Sequence, residues 1–253
     1  MNKGEYYEKL LLENQKRAAN TLSYKLIYLF FLSLKDKTTE LKKRVLHLLK
    51  DIKVFIKDEN QTLDPQSYLD FWYYTKLLGF GDLFKPPNKF LTELVHSIRE
   101  GCGDKDPVEA VFHYIYIRIL LECDYEEYSS LSLYIEGLEL ITHQDAVYYG
   151  YYLTHIVLYD LKFGLKNHKP LLPETTQDAI QKLVALCETH SDIINDENVD
   201  LLTEIMLCFT LCGVRPETLY SQILNILEEP QDISDNHLVT VLASYYMLKC
   251  NYE

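Results

Sequence analysis

The sequence lacks every short signature that would name a reaction. It contains no Gly-x-Gly-x-x-Gly, no P-loop, no Gly-x-Ser-x-Gly and no His-Glu-x-x-His, so dinucleotide-binding, α/β-hydrolase and zincin chemistry have no support. The aspartate-rich helical motif of terpene synthases is also missing, which argues against magnesium–diphosphate chemistry. The residues alone therefore name neither a reaction nor a ligand.

Positive charge is scarce, with 25 basic against 38 acidic side chains and a net charge of −13. Binding to nucleic acid depends largely on basic groups that neutralise phosphates. The one basic cluster, at residues 42–57, alternates lysines with aliphatic residues and predicts an amphipathic helix with a solvated basic face. We therefore predict no tight binding to DNA or RNA.

Paired cysteines and long apolar runs are also lacking. The six cysteines are scattered, and Cys208 and Cys212 have helical spacing without a second pair at metal-finger spacing. The apolar run at 26–34 is too short to span a bilayer, and no secretory signal precedes it. We expect free thiols, a cytoplasmic protein and no membrane span.

Alternating patterns typical of strands are absent, whereas helical signals run from end to end. The Asp-Pro pairs at 64–65 and 106–107 each combine an N-cap with a first-turn proline. Gly79, Gly164 and Gly213 supply the left-handed residue that commonly closes a helix. The sequence therefore predicts an all-α protein.

Apolar or aromatic helices recur at steps of roughly 40 to 50 residues. They are predicted at 20–35, 65–78, 107–121, 145–163, 198–212 and 236–249. A more amphipathic helix follows most of them, including one predicted at 125–141. We predict a single all-α domain over residues 1–253, built of about six repeated helical hairpins. Inner helices that are apolar all round favour a closed α/α toroid over an open α-solenoid, whose concave face must be wet.

Tyrosine is abundant, with 21 residues against one tryptophan. Because tyrosine joins an apolar ring to a hydroxyl group, the surplus suits either a core with wet ring tips or a lined cavity. The second interpretation predicts ligand-binding residues along the apolar helices, namely Tyr73, Tyr114, Tyr148, Tyr151, Tyr152, Tyr159 and Asp160.

Four ionisable residues occupy a common position in the repeat, nine residues before the residue that ends each apolar helix. They are Asp70, His113, His155 and Glu204. Two imidazoles and two carboxylates match a divalent transition-metal site or an acid–base centre. The alternative is that each is a core residue satisfied by a backbone or tyrosine group. His155 is the predicted catalytic residue, as general base or metal ligand.

The segment from Leu153 to Gly164 resembles the Leu-Thr-His-x-x-x-Tyr-x-Thr-Asp-Phe-Gly segment of an uncharacterised bacterial all-helical domain family, often associated with specialised-metabolite gene clusters. Thr154, His155 and Tyr159 match in order with the closing glycine, whereas the aspartate lies one or two places early. The resemblance covers about a dozen residues and the helical repeat layout. It implies a role in bacterial specialised metabolism without an established activity.

Two function classes stay open. One is a binding or accessory protein whose aromatic-lined cavity or groove accepts a small molecule, or a peptide of a biosynthetic partner protein. The other is an enzyme with a His/Asp/Glu acid–base or metal centre inside the toroid. The first is favoured because catalytic motifs are absent while tyrosines are plentiful. The residues indicate no particular cofactor.

Overall fold

The computed structural model describes residues 3–14, 18–35, 37–58, 63–100, 106–125, 131, 133–165, 172–228 and 236–249. In these ranges the protein is all-α and contains no strand. The α-helices are α1 (Lys3–Glu13), α2 (Ala19–Lys35), α3 (Thr39–Lys57), α4 (Pro65–Leu77), α5 (Asn88–Glu100), α6 (Pro107–Glu122), α7 (Ile135–Thr142), α8 (Ala146–Asp160), α9 (Glu174–Thr189), α10 (Val199–Cys212), α11 (Glu217–Glu228) and α12 (Asn236–Lys249). Among them, no helix is both long and apolar enough to cross a membrane.

Local capping chemistry explains where several helices begin and end. The Asp64 carboxylate accepts a hydrogen bond from the Ser67 backbone N–H at 2.8 Å, with Pro65 in the first turn. Asp106 does the same for Glu109 at 2.8 Å. Both caps confirm the prediction from the Asp-Pro pairs. Gly213, at φ 66°, closes α10 in the left-handed conformation.

Two predicted helices differ from the observed ones. The helix predicted at 125–141 is represented, in the part of the chain that the structure describes, by the shorter α7. The helix predicted to reach 163 ends at Asp160 and continues as a 3₁₀ turn over Lys162–Gly164. Phe163 has φ 53° there, and it buries its ring edge-on against Tyr159 at 5.1 Å. This burial offsets the cost of the left-handed backbone.

The chain divides into two compact units. Unit 1 comprises Met1–Leu10 and Thr142–Glu253, and unit 2 comprises Leu11–Ile141. The single all-α domain over residues 1–253 stays a prediction.

In unit 2, α2, α4 and α6 are neighbours that run in the same direction. Near its start α2 reaches α4 through a hydrogen bond from Ser23 to Asp70, and further along Phe30 contacts the Tyr74 ring at 5.6 Å. At its end α4 reaches α6 through Lys76, which donates to the Cys123 carbonyl oxygen. Amphipathic α3 packs against α2 with its apolar face.

In unit 1, α8, α10 and α12 are arranged in the same way. Contacts join α8 to α10 and α10 to α12, while α9 packs on α8 and α11 on α10. The side chains of α10 are buried on nearly every side, and α12 is buried from Val239 to Leu248. The six helices predicted to be apolar all round are thus the ones that carry buried residues on most of their surface. The hairpin repeat and its closure into a toroid stay predictions.

Candidate metal centre

A close approach of α8 and α10 sets up the site in unit 1. A Cβ atom on Gly150 would lie 3.0 Å from both Cδ atoms of Leu201, so the absence of a side chain lets the two helices meet. The adjacent residues, Tyr151 on α8 and Asp200 on α10, form a hydrogen bond of 2.9 Å from the phenol to Oδ2. One turn later, Thr154 faces Glu204. The glycine therefore positions the polar side chains that follow it.

Glu204 is the most buried carboxylate of this group, at 2% exposure. The Thr154 hydroxyl lies 2.6 Å from its Oε2 and 2.9 Å from the Tyr151 carbonyl oxygen. That hydroxyl has one proton for two acceptors, and the shorter distance fits a charge-assisted bond to the carboxylate. Burial raises the pKa of Glu204 above its ordinary value, although the nearby His155 imidazole opposes this.

Two imidazoles flank Glu204 from different helices. Nδ1 of His155, on α8, lies 3.7 Å from Oε2. Nε2 of His237, on α12, lies 3.7 Å from Oε1. The carboxylate therefore stands between two groups that can each carry a positive charge or present a lone pair.

Asp200 lies one helical turn before Glu204 and binds His237 more closely. Its Oδ2 accepts from Tyr151 and lies 3.0 Å from Nδ1 of His237. Burial alone would raise the pKa of Asp200, but the His237 imidazole and the hydrogen bonds from His237 and Tyr151 lower it below its ordinary value. The other oxygen, Oδ1, is buried and has no hydrogen-bond partner among the described residues.

The hydrogen bonds fix which ring nitrogens carry protons. A carbonyl oxygen can only accept, so His155 Nδ1, 2.7 Å from the Tyr151 carbonyl oxygen, must donate. An ionised carboxylate also only accepts, so His237 Nδ1 donates to Asp200. In the neutral tautomer of each ring, Nε2 then keeps the lone pair. For His237 this is the nitrogen that faces Glu204.

The side chains of Asp200, Glu204 and His237 can converge on one ion. Each offers a ligand atom, and the three atoms lie within 4.8 Å of one another. A mixed imidazole and carboxylate set suits divalent transition metals, whereas Ca²⁺ and Mg²⁺ prefer oxygen ligands alone. Three protein ligands would leave a coordination position for water or another molecule.

The four residues predicted as a metal set fall in both units. The structure brings His155 and Glu204 together in unit 1. Asp70 lies in unit 2, where it accepts from Ser23 at 2.6 Å and from Gln66 at 2.9 Å. His113 is buried in α6 of unit 2, with its ring 6.0 Å from that of Tyr116. A single site made of all four residues stays a prediction.

The residues predicted to bind a ligand mostly lie in the core. Four of the tyrosines are fully buried, namely Tyr73, Tyr114, Tyr152 and Tyr159. Tyr148 and Tyr151 are partly exposed, and Tyr151 belongs to the Asp200 network. Asp160 accepts hydrogen bonds from the Thr175 and Thr176 hydroxyls at the start of α9. The aromatic-lined cavity therefore stays a prediction, and the burial of these rings equally fits the core interpretation.

Sequence reasoning missed Asp200 and His237. A signal for Asp200 was present, because it lies four residues before Glu204 on the same face of an otherwise apolar helix. His237 carried a weaker one, at the start of the last predicted helix. The predicted repeat compares a single position in each apolar helix, nine residues before its end. Asp200 and His237 both lie at other positions.

Comparison with known proteins found no matching protein-family model, no matching curated protein and no matching solved structure.

Proposed function

We propose that the protein binds a divalent transition-metal ion through Asp200, Glu204 and His237, and that a small molecule binds at the open coordination position. The observation that carries this proposal is the set of three ligand atoms from α10 and α12 within 4.8 Å of one another. His237 would supply one ring nitrogen, and the carboxylates would supply oxygens. Zn²⁺, Mn²⁺ and Fe²⁺ are the ions that such a set suits.

The electrostatics of Glu204 support a cation at this place. A buried carboxylate is costly when it is ionised, and burial raises its pKa for this reason. A divalent ion would offset that cost, because two carboxylates balance its charge. The buried Oδ1 of Asp200 also has no donor among the described residues, which leaves its lone pairs open to a metal.

The surrounding side chains would hold the ligands in place. Thr154 donates to Glu204, and Tyr151 donates to Asp200. Asp200 also accepts from Nδ1 of His237, and this bond holds the ring beside both carboxylates. Outer hydrogen bonds of this kind orient metal ligands and tune their affinity.

His155 would act beside the metal rather than on it. Its Nδ1 donates to the Tyr151 carbonyl oxygen, so only Nε2 can accept a proton. The side chain is 14% exposed, which leaves it accessible for acid–base chemistry on a bound molecule. This role keeps His155 as the candidate general base of the enzymatic alternative.

The finer features of the prediction belong to this proposal and rest on the sequence alone. They are the six repeated hairpins closed into a toroid, a cytoplasmic location, and a small-molecule or peptide partner in bacterial specialised metabolism.

Metal titration of the full chain tests the proposal. Protein purified without a histidine tag is stripped with a chelator and titrated with Zn²⁺, Mn²⁺ or Fe²⁺ under calorimetry. We expect one equivalent to bind. Asp200→Asn, Glu204→Gln and His237→Gln should each weaken binding by about tenfold or more, because each removes a ligand or the charge that attracts the ion.

Exposed residues of the same unit provide matched controls. Glu197→Gln and His190→Gln change the same residue types at exposed positions and should leave the affinity within about twofold. If no metal binds with a dissociation constant below about 100 μM, or if the ligand variants bind as tightly as the wild type, the metal centre is wrong.

A further inference from the structure

A second feature of unit 1 lies where α10 ends and α11 begins. A pocket of about 190 Å³ is lined there by Phe209, Val214, Arg215, Tyr220 and Lys249, among others. Drug-sized ligands occupy roughly 300–1,000 Å³, so this pocket fits a smaller molecule. None of its lining residues belongs to the Asp200–Glu204–His237 centre.

Two backbone N–H groups at the pocket already have hydrogen-bond partners. Gly213 and Val214 donate their N–H groups to the carbonyl oxygens of Thr210 and Phe209 at 3.2 and 3.0 Å, which is the bonding that closes α10. The Thr210 hydroxyl donates to the Met206 carbonyl oxygen. The charged donors that the pocket offers to a ligand are therefore the side chains of Arg215 and Lys249.

Among the described residues, an aromatic ring rather than an ion pair holds Arg215 in place. Its guanidinium group stacks on the Tyr220 ring at 4.6 Å, and Tyr220 is itself buried, with its hydroxyl 3.5 Å from that of Tyr245. No carboxylate within the described ranges lies within salt-bridge distance of Arg215. A stacked guanidinium keeps a planar set of N–H donors that matches a carboxylate.

The rest of the lining adds one more cation and an apolar wall. The Lys249 ammonium group lies 4.0 Å from the Glu228 carboxylate. Val214, which is partly exposed, contributes an aliphatic side chain to the lining. In a chain of net charge −13, the stacked Arg215 guanidinium beside an aliphatic side chain favours an anion with an apolar body.

We propose that this pocket binds a small organic carboxylate of about the size of benzoate. The carboxylate pairs with the Arg215 guanidinium, and the apolar body lies against Val214. This site is independent of the proposed metal centre, since it shares no residue with it.

Benzoate is the probe, and benzamide is its neutral counterpart of the same shape. Binding is measured by calorimetry and by saturation-transfer NMR on the full chain after removal of metal, so that a carboxylate cannot bind through an ion. We expect saturable binding of benzoate and at least tenfold weaker binding of benzamide. Arg215→Gln should weaken benzoate binding at least tenfold.

A variant of equal charge change separates the pocket from general electrostatics. Arg99→Gln removes one positive charge from α5 in unit 2 and should leave benzoate binding within about twofold. The proposal is overturned if benzoate shows no saturable binding up to about 10 mM, if benzamide binds equally well, or if both arginine variants lose affinity to the same extent. None of these results bears on metal binding.

Discussion

Both units bury a carboxylate that accepts a hydrogen bond from a hydroxyl on the neighbouring parallel helix, yet the remaining partners differ. In unit 2, Ser23 donates to Asp70 at 2.6 Å, and in unit 1, Thr154 donates to Glu204 at 2.6 Å. Each acid is the sixth residue of its helix. Asp70 also accepts from the Gln66 amide, whereas Glu204 lies between two imidazoles at 3.7 Å.

The described donors to the two carboxylates differ in whether they can lose their proton near neutral pH. Hydroxyl and amide donors cannot release their protons near neutral pH. The Ser23 contact therefore suits a permanent link between α2 and α4, and the Gln66 contact is a permanent bond within α4. An imidazole can lose a proton and then present a lone pair to a metal ion. Glu204 therefore has two partners that can change their protonation state.

Metal-dependent stability gives the largest expected contrast between the two carboxylates. An ion at 100 times its dissociation constant should stabilise unit 1 by about 2.7 kcal/mol, or roughly 5–10 °C in its melting temperature. Glu204→Gln should abolish this shift, because the ion loses a charged ligand. Asp70→Asn should keep it. Calorimetric scans with and without Zn²⁺ or Mn²⁺ measure both effects.

If the metal-dependent rise in melting temperature disappeared equally in Glu204→Gln and Asp70→Asn, the distinction between the two carboxylates would be wrong. Because Asp70→Asn also disturbs a buried hydrogen bond, its melting temperature without metal serves as the reference for its own shift.

Much of the fold could be predicted because its signals are local. The Asp64 and Asp106 caps and the closing Gly213 depend on neighbours within a few residues, so sequence spacing locates them. The end of α8 could not be located in this way. It depends on Phe163 packing against Tyr159 and on Asp160 accepting from α9, and these contacts replace the last predicted turn.

Only half of the candidate site could be predicted from the sequence, because the site depends on which helices face each other. The shared position in the repeat selected His155 and Glu204, which do meet. Asp200 and His237 are 37 residues apart, and only the packing of α10 against α12 brings them together. In α12 the equivalent position, nine residues before Cys250, is Val241, one turn beyond His237.

Removing the two hydroxyls should give a smaller contrast. Ser23→Ala and Thr154→Val each delete a buried donor to a carboxylate, and each should lower the free energy of unfolding by about 2 kcal/mol. Only Thr154→Val should also weaken metal binding, by about tenfold, since Thr154 orients Glu204. Thr154→Ser, which keeps the hydroxyl, should restore both properties. Denaturant unfolding and metal titration provide the measurements, and equal metal affinity in Thr154→Val and wild type would contradict the role assigned to Thr154.

The buried thiols should show no contrast between the units at all. Burial raises the pKa of Cys123 in unit 2 and of Cys187 in unit 1 to about 12 each, and their side chains are 5% and 1% exposed. At pH 8 the thiolate fraction of either group is then about 10⁻⁴, so alkylation should be roughly 1,000-fold slower than for an ordinary thiol. Iodoacetamide labelling followed by peptide mass spectrometry tests this, with protein in guanidinium chloride as the fully reactive control.

Rapid labelling of Cys187 while Cys123 stays protected would mean that unit 1 opens locally on its own. The helices that carry Asp200, Glu204 and His237 would then be less firmly packed than the described contacts imply.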